Sequence, residues 1–172
     1  MMLMAMLPTA CNSDSSDVDD SQEALYAIIK PEEAQLIDII PSDYVLTMKD
    51  IIAVNPETGE FKLKNTERID SKSYPIPVQY VIMFYSKGEY LFSAKLNSSY
   101  SSYMPSGLTF YHFLTDKNGL ARYDLGATRL IYENGTVEGN PTDKQEQGIK
   151  RMYRILQRAG KTRTNIEYDF QF

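Results

Sequence analysis

The chain has 172 residues, enough for one domain that buries roughly two-thirds of its unfolded surface, and a formal net charge of −5. It holds one histidine, one cysteine and no tryptophan, which excludes sites built from two imidazoles or a thiol cluster and leaves no disulfide framework. Four of the 23 acidic residues, Asp14, Asp17, Asp19 and Asp20, lie in the first 20 positions, so that from Ser21 onward 19 acids face 18 Lys and Arg; a folded part so close to neutral argues against a nucleic-acid partner.

Met1 to Ala10 carry no charge and are mostly Met, Leu and Ala, and Cys11 follows at once. With Leu7, Thr9 and Ala10 before the cysteine, this leader resembles a lipobox, in which a diacylglycerol is attached to the thiol before the leader is removed. Pro8 stands where that signal carries Leu, and the leader lacks the length and basic start of a signal peptide, so a start upstream of Met1 is expected. Elsewhere no stretch reaches the roughly 18 apolar residues of a spanning helix, so the expected anchor is a lipid on Cys11. Residues 11–20 then read as a solvated acidic tether, and 21–172 as a single globular domain. The acidic run after the cysteine also resembles the export signal of surface-exposed Bacteroides-type lipoproteins, which implies the outer membrane.

In chain order, Asp20 to Glu23 have capping-box spacing, and Ala24, Leu25, Ile28 and Ile29 share a helical face up to Pro31, so a short helix is expected there. Residues 32–40 fit helix or strand equally, because Leu36, Ile37, Ile39 and Ile40 satisfy neither period. Tyr44 to Met48 and Phe61 to Leu63 are short β-type runs around the turn residues Asn55 to Gly59. Val78 to Tyr85 and Glu89 to Leu96 flank Ser86, Lys87 and Gly88, a hairpin connection with Gly88 at positive φ. Leu108 to Leu114 is another aromatic strand, ended by the turn Asp116 to Gly119, and Thr128 to Glu133 and Thr136 to Glu138 flank the hairpin dipeptide Asn134, Gly135.

Asn140 to Asp143 open an amphipathic helix over about 142–159 with Pro141 at its first position and Gly160 at its close; Ile149, Met152, Tyr153 and Leu156 form its apolar face. Ile166, Tyr168, Phe170 and Phe172 then alternate with polar residues as a final strand. The expected fold is α+β: a twisted antiparallel β-sheet with the C-terminal helix packed on one face and the last strand tucked back into the sheet.

The order of these features, lipobox and acidic tether, then Leu46, Thr47, Asp50, Ile51, Asn55, Thr58, Gly59 and Glu60, resembles an uncharacterised family of gut Bacteroidetes surface lipoproteins. Ser101, Ser102, Tyr103, then Leu108 to Tyr111, and Gly160 with Lys161 extend the resemblance. It implies an address and no activity.

His112, within Phe110 to Leu114, could serve as a general base, but no nucleophile motif lies near it, and a packed strand histidine is the commoner case. Asp116 to Gly119 lacks the acidic positions of an EF-hand loop. No metal and no cofactor is expected. Carboxylates are plentiful, yet spacing alone does not say which of them meet. The basic residues Lys144 to Arg158, with Lys161 and Arg163, could meet lipid phosphates, although cations toward a helix C-terminus are expected from its dipole alone. The strongest binding feature is the loop Asn97 to Ser106, where four serines interleave with Tyr100 and Tyr103 before Met104, the composition of antibody contact loops. The sequence therefore points to a noncatalytic envelope lipoprotein that binds a protein or glycan partner. The competing expectations are a small envelope-polymer hydrolase using carboxylates and a purely structural envelope component.

Overall fold

A computed structural model describes residues 24–34, 38–69, 79–99, 106–128, 130–131 and 137–170. Eight strands form one sheet: β1 (Tyr26–Pro31), β2 (Leu46–Thr47), β3 (Ile51–Asn55), β4 (Glu60–Leu63), β5 (Tyr80–Ser86), β6 (Glu89–Ser98), β7 (Gly107–Thr115) and β8 (Ala121–Thr128). Their order is β2-β1-β5-β6-β7-β8-β4-β3. A separate pair joins β9 (Leu130–Ile131) to β10 (Val137–Glu138), and the chain then forms α1 (Asp143–Arg158). The fold is α+β, with a mostly antiparallel sheet and a C-terminal helix.

The edge strands β2 and β3 are consecutive in sequence, separated only by residues 48–50. Laid flat, eight strands would hold their edges roughly 34 Å apart at about 4.8 Å per step, whereas the four links from Thr47 to Ile51 reach at most about 15 Å. The sheet therefore curls, bringing its two edges to within about 15 Å of each other. The inner rings agree: Phe61 on β4 lies 5.5 Å from Phe110 on β7, and Phe84 on β5 lies 5.6 Å from Phe110, centroid to centroid. Each pair reaches across an intervening strand, which only a concave face allows.

That concave face is the main core. Ala27, Leu46, Ile51, Phe61, Ile82, Phe84, Phe92, Phe110 and Tyr123 meet Met152 and Leu156 of α1 there, all buried. The helix starts at a capping box, in which Thr142 Oγ1 accepts from the Gln145 N–H at 3.2 Å and the Gln145 side chain accepts from the Thr142 N–H at 2.9 Å. It is fastened to β6 by Gln145 Nε2 donating to the Ser93 carbonyl at 3.0 Å. Gly148 allows the close approach: a Cβ there would stand 2.2 Å from the Leu91 carbonyl oxygen. On the convex side a second apolar cluster, Tyr26, Ile28, Val81, Met83 and Tyr85, is covered in part by Ile39 and Tyr44.

Several elements differ from the sequence expectation. Residues 26–31 form a strand rather than a helix, because Ala27 serves the concave cluster while Tyr26 and Ile28 serve the convex one. A strand covered on both sides loses its alternation and mimics a helical face. Residues 32–34 turn and 38–40 carry no regular element. The 55–59 turn joins β4 to β3, not to the two-residue β2. Ladder β6/β7 is parallel, with Asn97 opposite Tyr111 and Ser98 opposite His112, so the connection 99–106 has its ends at opposite ends of the strand pair. Thr142 is the N-cap of α1, which leaves Pro141 before the helix rather than at its first turn. The segment 161–170 adds no strand: one bridge, Val54 to Thr162, pairs it to the β3 edge, and 163–170 run on without a ladder.

Candidate functional site

Alternation along β6, β7, β8 and β4 sends Phe92, Phe110, Tyr123 and Phe61 inward and leaves their neighbours on the convex face. Two rows follow from the register. Lys95 stands beside Thr109 and Gly126, and Asn97 stands beside Tyr111, Asp124 and Glu60. The first row holds no aromatic, and the second is polar around Tyr111. Large aromatic side chains mark the two ends of this face: Tyr90, 50% exposed, and Phe113, 40% exposed. Counting the ladder along the strands puts the two ends about 30 Å apart.

Each end is held by its neighbours. Tyr90 meets Tyr85 edge-on at 5.7 Å, and Tyr85 stacks on Tyr26 at 5.4 Å, which in turn stacks on Tyr44 at 4.0 Å. The tyrosine row spans β6, β5, β1 and the segment before β2. Burial, followed by the neighbouring Tyr26 and Tyr90, pushes the Tyr85 phenol above its usual pKa. At the other end the Arg122 guanidinium lies 4.8 Å from the Phe113 ring, 3.1 Å from Asp124 and 3.8 Å from Glu60. The Asp124 hydrogen bond leads the effects that raise the Arg122 pKa.

The segment after α1 runs over the β4/β8 part of this surface. Asn55 Nδ2 donates to the Thr164 carbonyl at 2.8 Å, Lys62 donates to the Glu167 carbonyl, and the Tyr168 hydroxyl donates to the Phe61 carbonyl at 3.1 Å. Lys62 also sits over the Tyr168 ring. Asp116 anchors the far end: Oδ1 accepts from the Asn118 and Leu120 N–H groups at 2.9 Å each, Oδ2 accepts from the Asp169 N–H at 3.4 Å, and Lys117 pairs with Asp169 at 2.6 Å. Burial pushes the Asp116 pKa up, but those three N–H donors and the Lys62 charge outweigh it and hold the carboxyl below its usual value. The stretch read from sequence as a turn is thus also the clasp for the tail.

Of the residues singled out in sequence, Cys11, Tyr100, Tyr103 and Met104 lie outside the described residues. The start of their loop is placed: Ser99 Oγ donates to the Phe113 carbonyl at 2.8 Å, beside the exposed ring. His112 is buried on the concave side, tilted against Tyr123 at 4.9 Å, with Nε2 3.1 Å from Thr115 Oγ1. Those contacts suit a packed histidine. Among the described residues no group of three His, Cys, Asp or Glu side chains comes together to hold a metal ion, and no helix is long and apolar enough to cross a membrane.

A cleft of about 400 Å³ opens among Tyr44, Thr47, Asp50, Asn65, Glu67 and Arg68. It brings two carboxylates to one cavity. Asp50, however, is bound into its own turn: Oδ2 accepts from the Thr47 N–H at 2.8 Å and the Thr47 hydroxyl at 2.7 Å, and Oδ1 accepts from Asn65 Nδ2 at 3.1 Å. Arg68 donates to the Tyr44 carbonyl at 2.8 Å. Thr47 and Asp50 therefore build the turn that links the two edge strands.

Sequence reasoning missed Tyr90, Phe113 and Arg122. The available signal was their alternation with buried neighbours, which becomes legible only once β7 and β8 are known to be paired. Compared with protein-family models, curated proteins and solved structures, the chain matches none of them.

Proposed function

We propose that the protein is a noncatalytic cell-envelope lipoprotein, anchored through Cys11 at the outer membrane, that binds a protein partner on the convex face of its sheet. The observation that carries this reading is the pair of exposed aromatics, Tyr90 and Phe113, flanking a polar surface about 30 Å long. A stable protein interface covers about 800 Å² per partner, roughly that span, with aromatic anchors enriched. A single sugar ring would reach one anchor and not both, and small ligands favour concave pockets. The loop that carries Tyr100 and Tyr103 follows Ser99, which donates to the Phe113 carbonyl. The sheet is further proposed to be twisted.

The test is capture from native envelopes with the wild-type chain and with Tyr90→Ser, Phe113→Ser, Tyr100→Ala and Tyr103→Ala, beside a glycan array. A partner retained by the wild type and lost in the first two variants is expected. Unchanged capture, or binding on the glycan array alone, overturns the protein-partner reading. The cleft with Asp50 and Glu67 favours a second reading, hydrolysis of an envelope polymer. Activity that disappears in Asp50→Asn at unchanged stability would establish it over the first.

A further inference from the structure

Ala24, the first described residue, lies among cations that come from neighbouring turns. Leu25 is fixed there by its carbonyl accepting from the Met48 N–H at 2.9 Å, and the Ala24 carbonyl accepts from Ser86 Oγ at 2.8 Å. Lys49 follows Met48 and Lys87 follows Ser86, both exposed. Lys64, also exposed, follows the end of β4, and its N–H donates to the Asp50 carbonyl at 2.9 Å. Lys161 Nζ reaches the Ile51 carbonyl at 2.5 Å.

The end of α1 continues this surface. Arg158 is exposed in the last turn, and Arg163 folds back onto the Gly160 carbonyl at 2.9 Å. From Gln147 to Ile166 the sequence has six Lys and Arg and no acid. A helix dipole accounts for cations in its own last turn. It does not account for Lys49, Lys64 and Lys87, which come from three separate turns of the sheet. Lys64 lies near enough to Lys161 that its charge adds to burial in lowering the Lys161 pKa, with Asp50 opposing. Like charges brought together at an exposed surface suit an anionic partner.

We propose that this end of the domain docks on a membrane surface through anionic, phosphate-bearing headgroups. The proposal rests on the lipid-anchor reading for its geometry: Cys11 precedes Ala24 by 13 residues, a tether of at most about 45 Å, and it enters the fold at the cationic end. An anchored domain would thereby lie with that end against the membrane. The aromatic of the convex face nearest the tether, Tyr90, would sit close to the bilayer.

The experiment uses the full chain without its lipid, so that binding does not depend on the anchor. Sedimentation with vesicles of phosphatidylcholine alone is compared with vesicles that include about one-third phosphatidylglycerol, at low and at physiological salt. Binding to the anionic vesicles only, weakened by salt, is expected. Each cation at such a surface is worth about fivefold in affinity. The triple variant Lys49→Gln, Lys64→Gln, Arg158→Gln should therefore bind on the order of 100-fold more weakly. Lys144→Gln, at the opposite end of α1 about 21 Å away, should bind like the wild type. All four positions are exposed, and matching thermal melts confirm that the variants fold.

Equal binding to neutral and anionic vesicles, no binding, or a triple variant that binds like the wild type overturns the proposal. So does binding that appears only after residues 1–20 are removed, since the acidic tether would then occupy the patch itself. Failure of the anchor is read separately, from fatty-acid labelling at Cys11 in cells: absent label with intact vesicle binding rejects the anchor, and label without vesicle binding rejects the docking surface.

Discussion

The ring of Tyr85 lies flat against that of Tyr26, 5.4 Å between centroids and 7° between planes, because the two residues are direct partners across β1 and β5. Tyr90 is the next partner of Tyr85, across β5 and β6, so a buried pair supports an exposed ring at the end of the proposed contact face. Stacked pairs contribute about 0.5–1.5 kcal/mol beyond their buried area. A double-mutant cycle with Tyr26→Leu and Tyr85→Leu, measured by urea unfolding, should return a coupling in that range. Additive effects would show that the pair is held by burial alone.

Gly148 sits inside α1, where alanine normally stabilises by about 1 kcal/mol. Here the added methyl would meet the Leu91 carbonyl oxygen at 2.2 Å and its carbon at 2.7 Å, both backbone atoms. Gly148→Ala should therefore destabilise the protein by about 1–3 kcal/mol, read as a lower unfolding midpoint. A stabilised variant would mean that α1 stands further from β6 than described.

Burial pushes the Tyr153 phenol up to about 12 from an ordinary value of 10.0. A folded-state pKa above the unfolded one means that the neutral form stabilises the fold; the contribution is complete below pH 10 and is lost as pH rises toward 12. The two-unit shift corresponds to about 2–3 kcal/mol. Tyr153→Phe should hold its stability over that window better than the wild type in denaturation series from pH 9 to 12. Tyr85 and Tyr168, raised in the same direction, will leave some alkaline sensitivity in the variant.

Asp116 works at the opposite end of the scale. Its folded pKa lies below the unfolded value, so its stabilisation is fully present above about pH 4 and fades as pH falls through the folded value. Asp116→Asn should flatten the acid limb of the stability curve. It should also loosen the tail, seen as faster amide exchange at Asp169. An acid limb identical to the wild type would remove the carboxylate from its role as clasp.

The sequence showed α1 almost to the residue, because Thr142, the apolar stripe and Gly160 act locally. It also showed the 86–89 turn, where Lys87 and Gly88 both take positive φ. It did not show β8, although Ala121, Tyr123 and Leu125 alternate with Arg122 and Asp124, since Gly126 and short side chains thin the pattern. The parallel direction of β7 was hidden for a different reason: local propensity sets strand identity, while direction depends on long-range pairing. The curl was legible only from topology, because it depends on β2 and β3 being opposite edges. The convex aromatics were missed for the same reason, whereas His112 was read correctly as a strand residue because its neighbours alone decide that.

Intact-mass analysis of the protein purified from its native membranes tests the central claim most directly. A chain that begins at Cys11 and carries the mass of a diacylglycerol on that residue is predicted. A free Cys11 thiol on a chain that retains the preceding residues, recovered from the cell interior, would contradict the envelope anchor and the function built on it.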